Sequence, residues 1–277
     1  MKIAYQGEPG AYSEAASIEH FGPEAIPVPC ESFNQVFENV VEGICDYGLI
    51  PIENSLAGSI HRNYDLLIQN PLTIICEHYL RIQHCLITHP GVQLKDVTKV
   101  MSHPQALAQC EKYLHSLKNV KIEATYDTAG SVKLLKESGE LTTAAIASRR
   151  AAEVYQMHIL AENIEDNAEN YTRFLGLAKE PVKVVENAKT TIVFSLKNEP
   201  GSLFKALSVF ALRDIDLSKI ESRPIIGKPW EYLFYIDFLG SIEQPKVTRA
   251  LEHLSEYAMT LRVFGSYPRH SIGNSKK

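Results

Sequence analysis

The sequence predicts an α/β domain followed by a smaller α+β domain, and three observations carry that prediction. Up to residue 178, short apolar strands alternate with stretches of helical periodicity, the pattern of a largely parallel sheet. A polar stretch at residues 179–189, with Pro181 and no clear period, then breaks the rhythm. Beyond it, the order βαββαβ fits into residues 190–267, which is the ferredoxin-like split βαβ arrangement.

Each element has its own warrant. Residues 2–6 read as a strand and 13–21 as a helix. Residues 32–41 are helical because Phe33, Val36, Phe37 and Val40 recur at helix spacing. Strands follow at 47–52 and 99–102, with a helix over 105–117 after the second. Residues 122–126 lead into a helix from Thr128, and 144–147 into one near Arg149. The apolar, strand-like segment 73–88 interrupts this alternation, so two lobes are expected. In the second domain, residues 191–197 alternate Ile192, Phe194 and Leu196 against Val193, Ser195 and Lys197, a strand period. Asn198-Glu199-Pro200-Gly201 is a turn with helix-start chemistry, and Leu203, Leu207 and Phe210 follow at helical spacing. Strands at 217–225 and 231–239 flank Gly227-Lys228-Pro229. A helix carries Val247, Leu251 and Leu254, and residues 260–264 close as a strand. The polar tail, residues 268–277, is expected to be disordered over 271–277.

Composition excludes several function classes. A net charge of −5 and a pI near 6.1, with no Lys/Arg run, give nucleic-acid binding little electrostatic support. No apolar run approaches the ~20 residues that span a bilayer, and the first residues lack the long apolar core of a signal peptide. Cys30, Cys45, Cys76, Cys85 and Cys110 are odd in number and scattered, with no Cys-x-x-Cys pair, which fits free thiols in a reducing cytoplasm. A cytoplasmic protein is expected.

Small hydroxyl and amide residues open helices after the strands: Tyr12-Ser13, Glu53-Asn54-Ser55, Ser102-His103-Pro104-Gln105, Asp127-Thr128 and Ser148. Ligands of open α/β sheets sit at strand carboxyl ends, where helix N-termini offer free N–H groups. Helix capping explains any one of these residues. Their recurrence, with Gly7, Gly10 and Gly58 nearby, favours a cleft for a small anion. Asn170-Tyr171-Thr172-Arg173-Phe174 adds a hydroxyl and a fork-shaped cation suited to a carboxylate, although spacing alone reads it as an ordinary strand with a surface arginine. Gly7-x-x-Gly10 matches neither the phosphate loop nor the dinucleotide fingerprint. Ten histidines include no His-x-x-x-His pair, so no metal site is expected.

Six motifs then coincide. Tyr5-Gln6-Gly7 through Gly10-Ala11-Tyr12-Ser13, Pro51-Ile52-Glu53-Asn54-Ser55, Ser102-His103-Pro104-Gln105-Ala106-Leu107 and Thr172-Arg173-Phe174 resemble, in that order, the prephenate dehydratase family. Gly201-Ser202-Leu203 and Glu221-Ser222-Arg223-Pro224 resemble its ACT regulatory domain. The likeness covers residues 2–267, and His61-Arg62-Asn63-Tyr64-Asp65 and the helix at 204–213 look like plant arogenate dehydratases. The resemblance implies a two-lobed, periplasmic-binding-protein-like catalytic domain with its site between the lobes. It implies Thr172 as the catalytic residue, completed by Arg173 and Phe174. Tyr12, Ser13, Asn54, Ser55, Ser102, His103, Gln105 and Thr128 would line the cleft. Gly201, Ser202, Leu203, Glu221, Ser222, Arg223 and Pro224 would bind the effector phenylalanine at a subunit interface of a homodimer or homotetramer. Ser202 departs from the alanine common in the family but keeps a small side chain. The implied reaction converts prephenate to phenylpyruvate with loss of water and CO2, without metal or organic cofactor. Arogenate is the alternative substrate, and a non-catalytic amino-acid or organic-anion sensor is the competing class. The Thr172-Arg173 pair favours the enzyme, since a sensor needs no hydroxyl beside its anion-holding arginine.

Overall fold

The computed structural model describes residues 1–225 and 227–270, and it divides into two compact units. The first holds residues 1–69 and 78–174, the second residues 70–77 and everything from 175 on.

The first unit opens β1 (Lys2–Gln6), α1 (Tyr12–Phe21), β2 (Ile26–Cys30), α2 (Phe33–Val41), β3 (Tyr47–Asn54), β4 (Gly58–Ser59), α3 (His61–Gln69) and β5 (Thr73–Arg81). It continues with β6 (Cys85–Thr88), β7 (Lys99–Ser102), α4 (Pro104–Gln109), α5 (Glu111–Ser116), β8 (Lys121–Ala124) and α6 (Thr128–Ser138). The last elements are β9 (Thr143–Ala147), α7 (Arg149–Tyr155), β10 (His158–Glu162) and β11 (Tyr171–Ala178), and residues 73–77 of β5 and 175–178 of β11 belong to the second unit. Two sheets result, ordered β2-β1-β3-β11-β5 (with β4 on β3) and β10-β6-β9-β7-β8. They are the two expected lobes. β1 pairs in parallel with β2 and β3, and β7 in parallel with β8 and β9, while β6 runs antiparallel to β9 and β10.

Local chemistry starts and stops these helices where the sequence asks. Val36, Phe37 and Val40 of α2 are buried on one stripe, and the Ser32 hydroxyl caps the helix by accepting from Gln35 N at 3.3 Å. Asp127 caps α6 by accepting from Gly130 N at 2.8 Å, and Gly139 ends it in the left-handed conformation.

Three expectations change. The helix over 105–117 is two short helices, because the buried Cys110 leaves helical backbone angles at φ −119° and ψ 24°. β2 and β10 are strands that the pattern did not mark. β11 is a strand, but its arginine is not on the surface: Arg173 is 5% exposed.

The second unit carries β12 (Ala188–Leu196), α8 (Ser202–Ala211), β13 (Leu217–Pro224), β14 (Tyr232–Leu239), α9 (Pro245–Tyr257) and β15 (Ala258–Pro268). This is the expected βαββαβ order, folded as an antiparallel sheet β13-β14-β12-β15. The strand period holds: Ile192, Phe194 and Leu196 enter one core with Val209 and Phe210 of α8 and Val247 and Leu254 of α9. On the other face of β12, Thr191 donates to Asp237 Oδ1 at 2.6 Å, and Lys189 pairs with Glu77 at 2.7 Å, both buried. β12 begins at Ala188, ahead of the strand expected over 191–197 and inside the stretch 179–189 read as a linker. The expected disordered tail at 271–277 lies outside the described residues.

Candidate functional site

Within the first unit, residues from both sheets enclose a cavity of about 280 Å³. Its lining includes Tyr12, Ser13, Asn54, His103, Gln105, Thr128, Thr172 and Phe174, which the sequence had nominated from five separate segments. Ser55, Ser102 and Arg173 lie outside that lining. Ser55 Oγ instead donates to Glu169 O at 2.8 Å and accepts from Tyr171 N, stitching β3 to the start of β11. Ser102 is fully buried and donates to Ile146 O at 2.6 Å. Arg173 falls between two lining residues of a strand, and the two-residue period of β11 turns it to the opposite face from Thr172 and Phe174. Arg173 thus stands apart from the cleft residues with which the sequence grouped it.

Thr172 is held by a specific arrangement. Asn54 Nδ2 donates to Thr172 Oγ1 at 3.1 Å, to Asn170 Oδ1 at 2.8 Å and to Tyr171 O at 3.2 Å. Asn54 Oδ1 accepts from Leu56 N and Ala57 N at 3.1 and 2.9 Å. Two backbone donors on the carbonyl fix which end of the amide faces the threonine. Because the amide donates to Thr172 Oγ1, the hydroxyl proton stays available for an acceptor in the cavity.

The cleft also contains residues that sequence reasoning missed, Gln6, His84, Gln109 and Tyr126, together with Asp127, which the strand-end pattern had marked beside Thr128. His84 bridges Tyr12 Oη through Nδ1 at 2.8 Å and Gln109 Oε1 through Nε2 at 2.9 Å. Burial lowers its pKa below the usual 6.5, so the ring is neutral near pH 7. Burial also raises the pKa of Asp127, the only carboxylate of the lining among the described residues. A polar residue inside the apolar run 82–88 was the available signal for His84, and a four-residue step from Gln105 was the one for Gln109.

Burial of a neutral histidine has a pH consequence. The unfolded chain takes up a proton near 6.5 that the folded chain refuses until a lower pH, so unfolding is favoured progressively below that value. The stability contributed is complete above about 6.5 and is lost as the pH falls through the folded pKa. His84→Gln is expected to flatten the loss of Tm between neutral and mildly acid pH. An unchanged slope in a folded variant would assign the acid sensitivity elsewhere.

Among the described residues no lysine or arginine lines the cavity, so an anion would rely on neutral donors. α1 has Ala11 at its N-cap and no side-chain cap, which leaves first-turn N–H groups open beside Tyr12 and Ser13. In the second unit, Ser202 and Leu203 line a smaller cavity of about 100 Å³ with Trp230, Tyr232 and Phe234. Gly201 starts α8 at φ +81°. Glu221 and Arg223 lie on one face of β13 and Ser222 and Pro224 on the other, and none of the four lines that cavity.

Fold and cleft together define a two-lobed small-molecule enzyme fused to a βαββαβ unit of the ACT type. The sequence model described as prephenate dehydratase matches residues 3–182, and the ACT domain model matches residues 190–256. The chain belongs to the prephenate dehydratase family and is a carbon–oxygen lyase. It is 49% identical to arogenate dehydratase/prephenate dehydratase 2, chloroplastic, of Arabidopsis thaliana over 97% of this chain and 73% of that protein. A prephenate dehydratase from Arthrobacter aurescens in complex with L-Phe superposes with a TM-score of 0.89 at 33% identity, covering 97% of this chain and 90% of that one. A solved structure described as GqqA, a novel type of quorum quenching acylases, superposes with a TM-score of 0.91 at 34% identity over 98% of both chains.

Proposed function

We propose that this protein dehydrates and decarboxylates prephenate to phenylpyruvate, and that phenylalanine bound to the ACT unit inhibits it. The observation that carries the reading is the Thr172 hydroxyl, aimed by Asn54 so that its proton is free. In the reaction the ring C–C bond to the carboxylate breaks, its electron pair completes the aromatic ring, and the ring hydroxyl departs as water after gaining one proton. Aromatisation supplies the driving force, so the enzyme's task is to ease the departing oxygen and to place two carboxylates.

Thr172 would donate a hydrogen bond to that oxygen as negative charge develops on it. A threonine is too weak an acid to surrender its proton outright, so the contribution is positional and electrostatic. Open N–H groups at the start of α1, with Ser13, Thr128 and His103, would hold the carboxylates in place of the expected arginine.

Arogenate, which carries an ammonium where prephenate has a keto group, is a second reading supported by one observation. Asp127 places a carboxylate in a cleft that must accept two substrate carboxylates, an unfavourable arrangement that an ammonium would relieve. Asp127→Asn is expected to lower kcat/KM for arogenate by about tenfold more than for prephenate. Equal losses would remove this argument.

The phenylalanine site is proposed at Gly201, Ser202, Leu203 and the segment 221–224 in a homodimer or homotetramer; the L-Phe complex of the Arthrobacter relative supports phenylalanine as the ligand. Five free, buried cysteines support a reducing compartment such as the cytoplasm. One assay tests the whole reading: the purified chain is given prephenate or arogenate, phenylpyruvate or phenylalanine is followed, and the prephenate reaction is repeated with added phenylalanine. Turnover of neither substrate would sink it.

A further inference from the structure

The first turn of α1 carries a buried carboxylate that the reaction does not use. Glu14 lies in the first turn of α1, next to Ser13 and two residues after Tyr12, and is 6% exposed. Its two oxygens accept four donors. Oε1 receives Arg150 Nε at 3.1 Å and Nη2 at 2.9 Å, while Oε2 receives Gly10 N and, at 3.4 Å, the Tyr5 hydroxyl. Arg150 belongs to α7, which packs with the other sheet of this unit, so the carboxylate ties one lobe to the other.

The loop between β1 and α1 is fixed from a second direction. Ser148 Oγ donates to Gly10 O at 2.6 Å, and a Cβ placed on Gly10 would sit 2.6 Å from Ala151 Cα. Only glycine lets the loop approach α7 this closely, and Gly10 also has φ +91°. Thr172, by contrast, is held by Asn54 and shares no hydrogen bond with Glu14.

We propose that Glu14, with Arg150 as its counter-charge, is a positioning residue that sets Tyr12, Ser13 and the α1 N-terminus against the opposite wall of the cleft. A buried ion pair is a poor source of net stability, because desolvation offsets the attraction. What four donors on one carboxylate do supply is a fixed geometry. An amide in its place would turn an NH2 group toward either the guanidinium or the Gly10 N–H, donor against donor, and release one side of the loop. Substrate-holding N–H groups would shift while the Thr172 hydroxyl stayed in place, so binding suffers before chemistry does. This inference rests on the cleft being the dehydratase site.

The test uses the full chain and prephenate. Glu14→Gln is expected to raise KM about tenfold with kcat within about threefold, since small displacements of binding groups are costly. Arg150→Met, which keeps the aliphatic stem, is expected to raise KM in the same direction. The double variant is expected to be no worse than Glu14→Gln alone, because the two groups act as one unit. A purely structural role would lower kcat through loss of folded enzyme and leave KM alone. An unchanged KM in folded Glu14→Gln, a fall confined to kcat, or additive losses in the double variant would each overturn the proposal. If Glu14→Gln does not fold, an unchanged KM in Arg150→Met does so. A wild-type chain inactive on prephenate and arogenate would instead defeat the functional reading.

Discussion

Thr172→Ala is expected to lower kcat by roughly 10²-fold or more, with KM changing much less. The side chain is 9% exposed and faces the cavity beside Phe174, so its removal leaves the walls nearly intact. What disappears is a donor aimed at an oxygen that gains charge only as the C–O bond breaks, and such an interaction registers in kcat. Thr172→Ser should recover a large part of the rate, because Asn54 Nδ2 can still donate to the remaining oxygen. Steady-state kinetics on prephenate with the three proteins decide the matter. Near-wild-type turnover by a folded Thr172→Ala variant would remove this hydroxyl from the mechanism.

That no lysine or arginine among the described residues lines this cleft bears on how a doubly charged substrate is held. Neutral donors bind an anion without bringing in a cation of their own to be desolvated, and they are fixed by the fold before substrate arrives. The start of α1 supplies such donors because Ala11 leaves them uncapped. Asp127, in contrast, caps α6 from within the cleft. Its raised pKa reflects burial, and a cationic group on a substrate would reverse that preference.

Much of this was legible in the chain. Strand and helix periods placed β1, α2, β3, β7 and the whole βαββαβ unit, because one-sided burial imposes its period directly on the residues. β2 escaped because Pro27 and Pro29 argue against a strand. It is an edge strand paired only with β1, where missing donors cost nothing. The cleft was legible as strand-end hydroxyls and amides, but not as a network. His84 and Gln109 are 25 residues apart, and nothing local signals that they share a hydrogen bond. The placing of Arg173 was legible in the strand period: once 171–178 is a strand, Thr172 and Phe174 share a face that Arg173 cannot.

The largest expected stability change lies in the second unit, at Gly265→Ala. Gly265 follows a register shift between β12 and β15, with φ +153°. A Cβ there would stand 2.8 Å from Thr73 Oγ1 and well inside contact with the Ile74 carbonyl oxygen. Neither neighbour gives way easily. Thr73 Oγ1 donates to Phe264 O at 2.6 Å, and the Ile74 oxygen is backbone. Two costs therefore combine, about 1–3 kcal/mol for a strained backbone and about 1–3 kcal/mol for overpacking. A loss of about 3 kcal/mol or more in urea unfolding is expected. Gly58→Ala is the control, since Gly58 has φ +82° but open space around its Cβ position, and only the conformational cost of about 1–2 kcal/mol applies. If the two variants lose the same stability, close approach of Gly265 to residues 73–74 is not what requires glycine there.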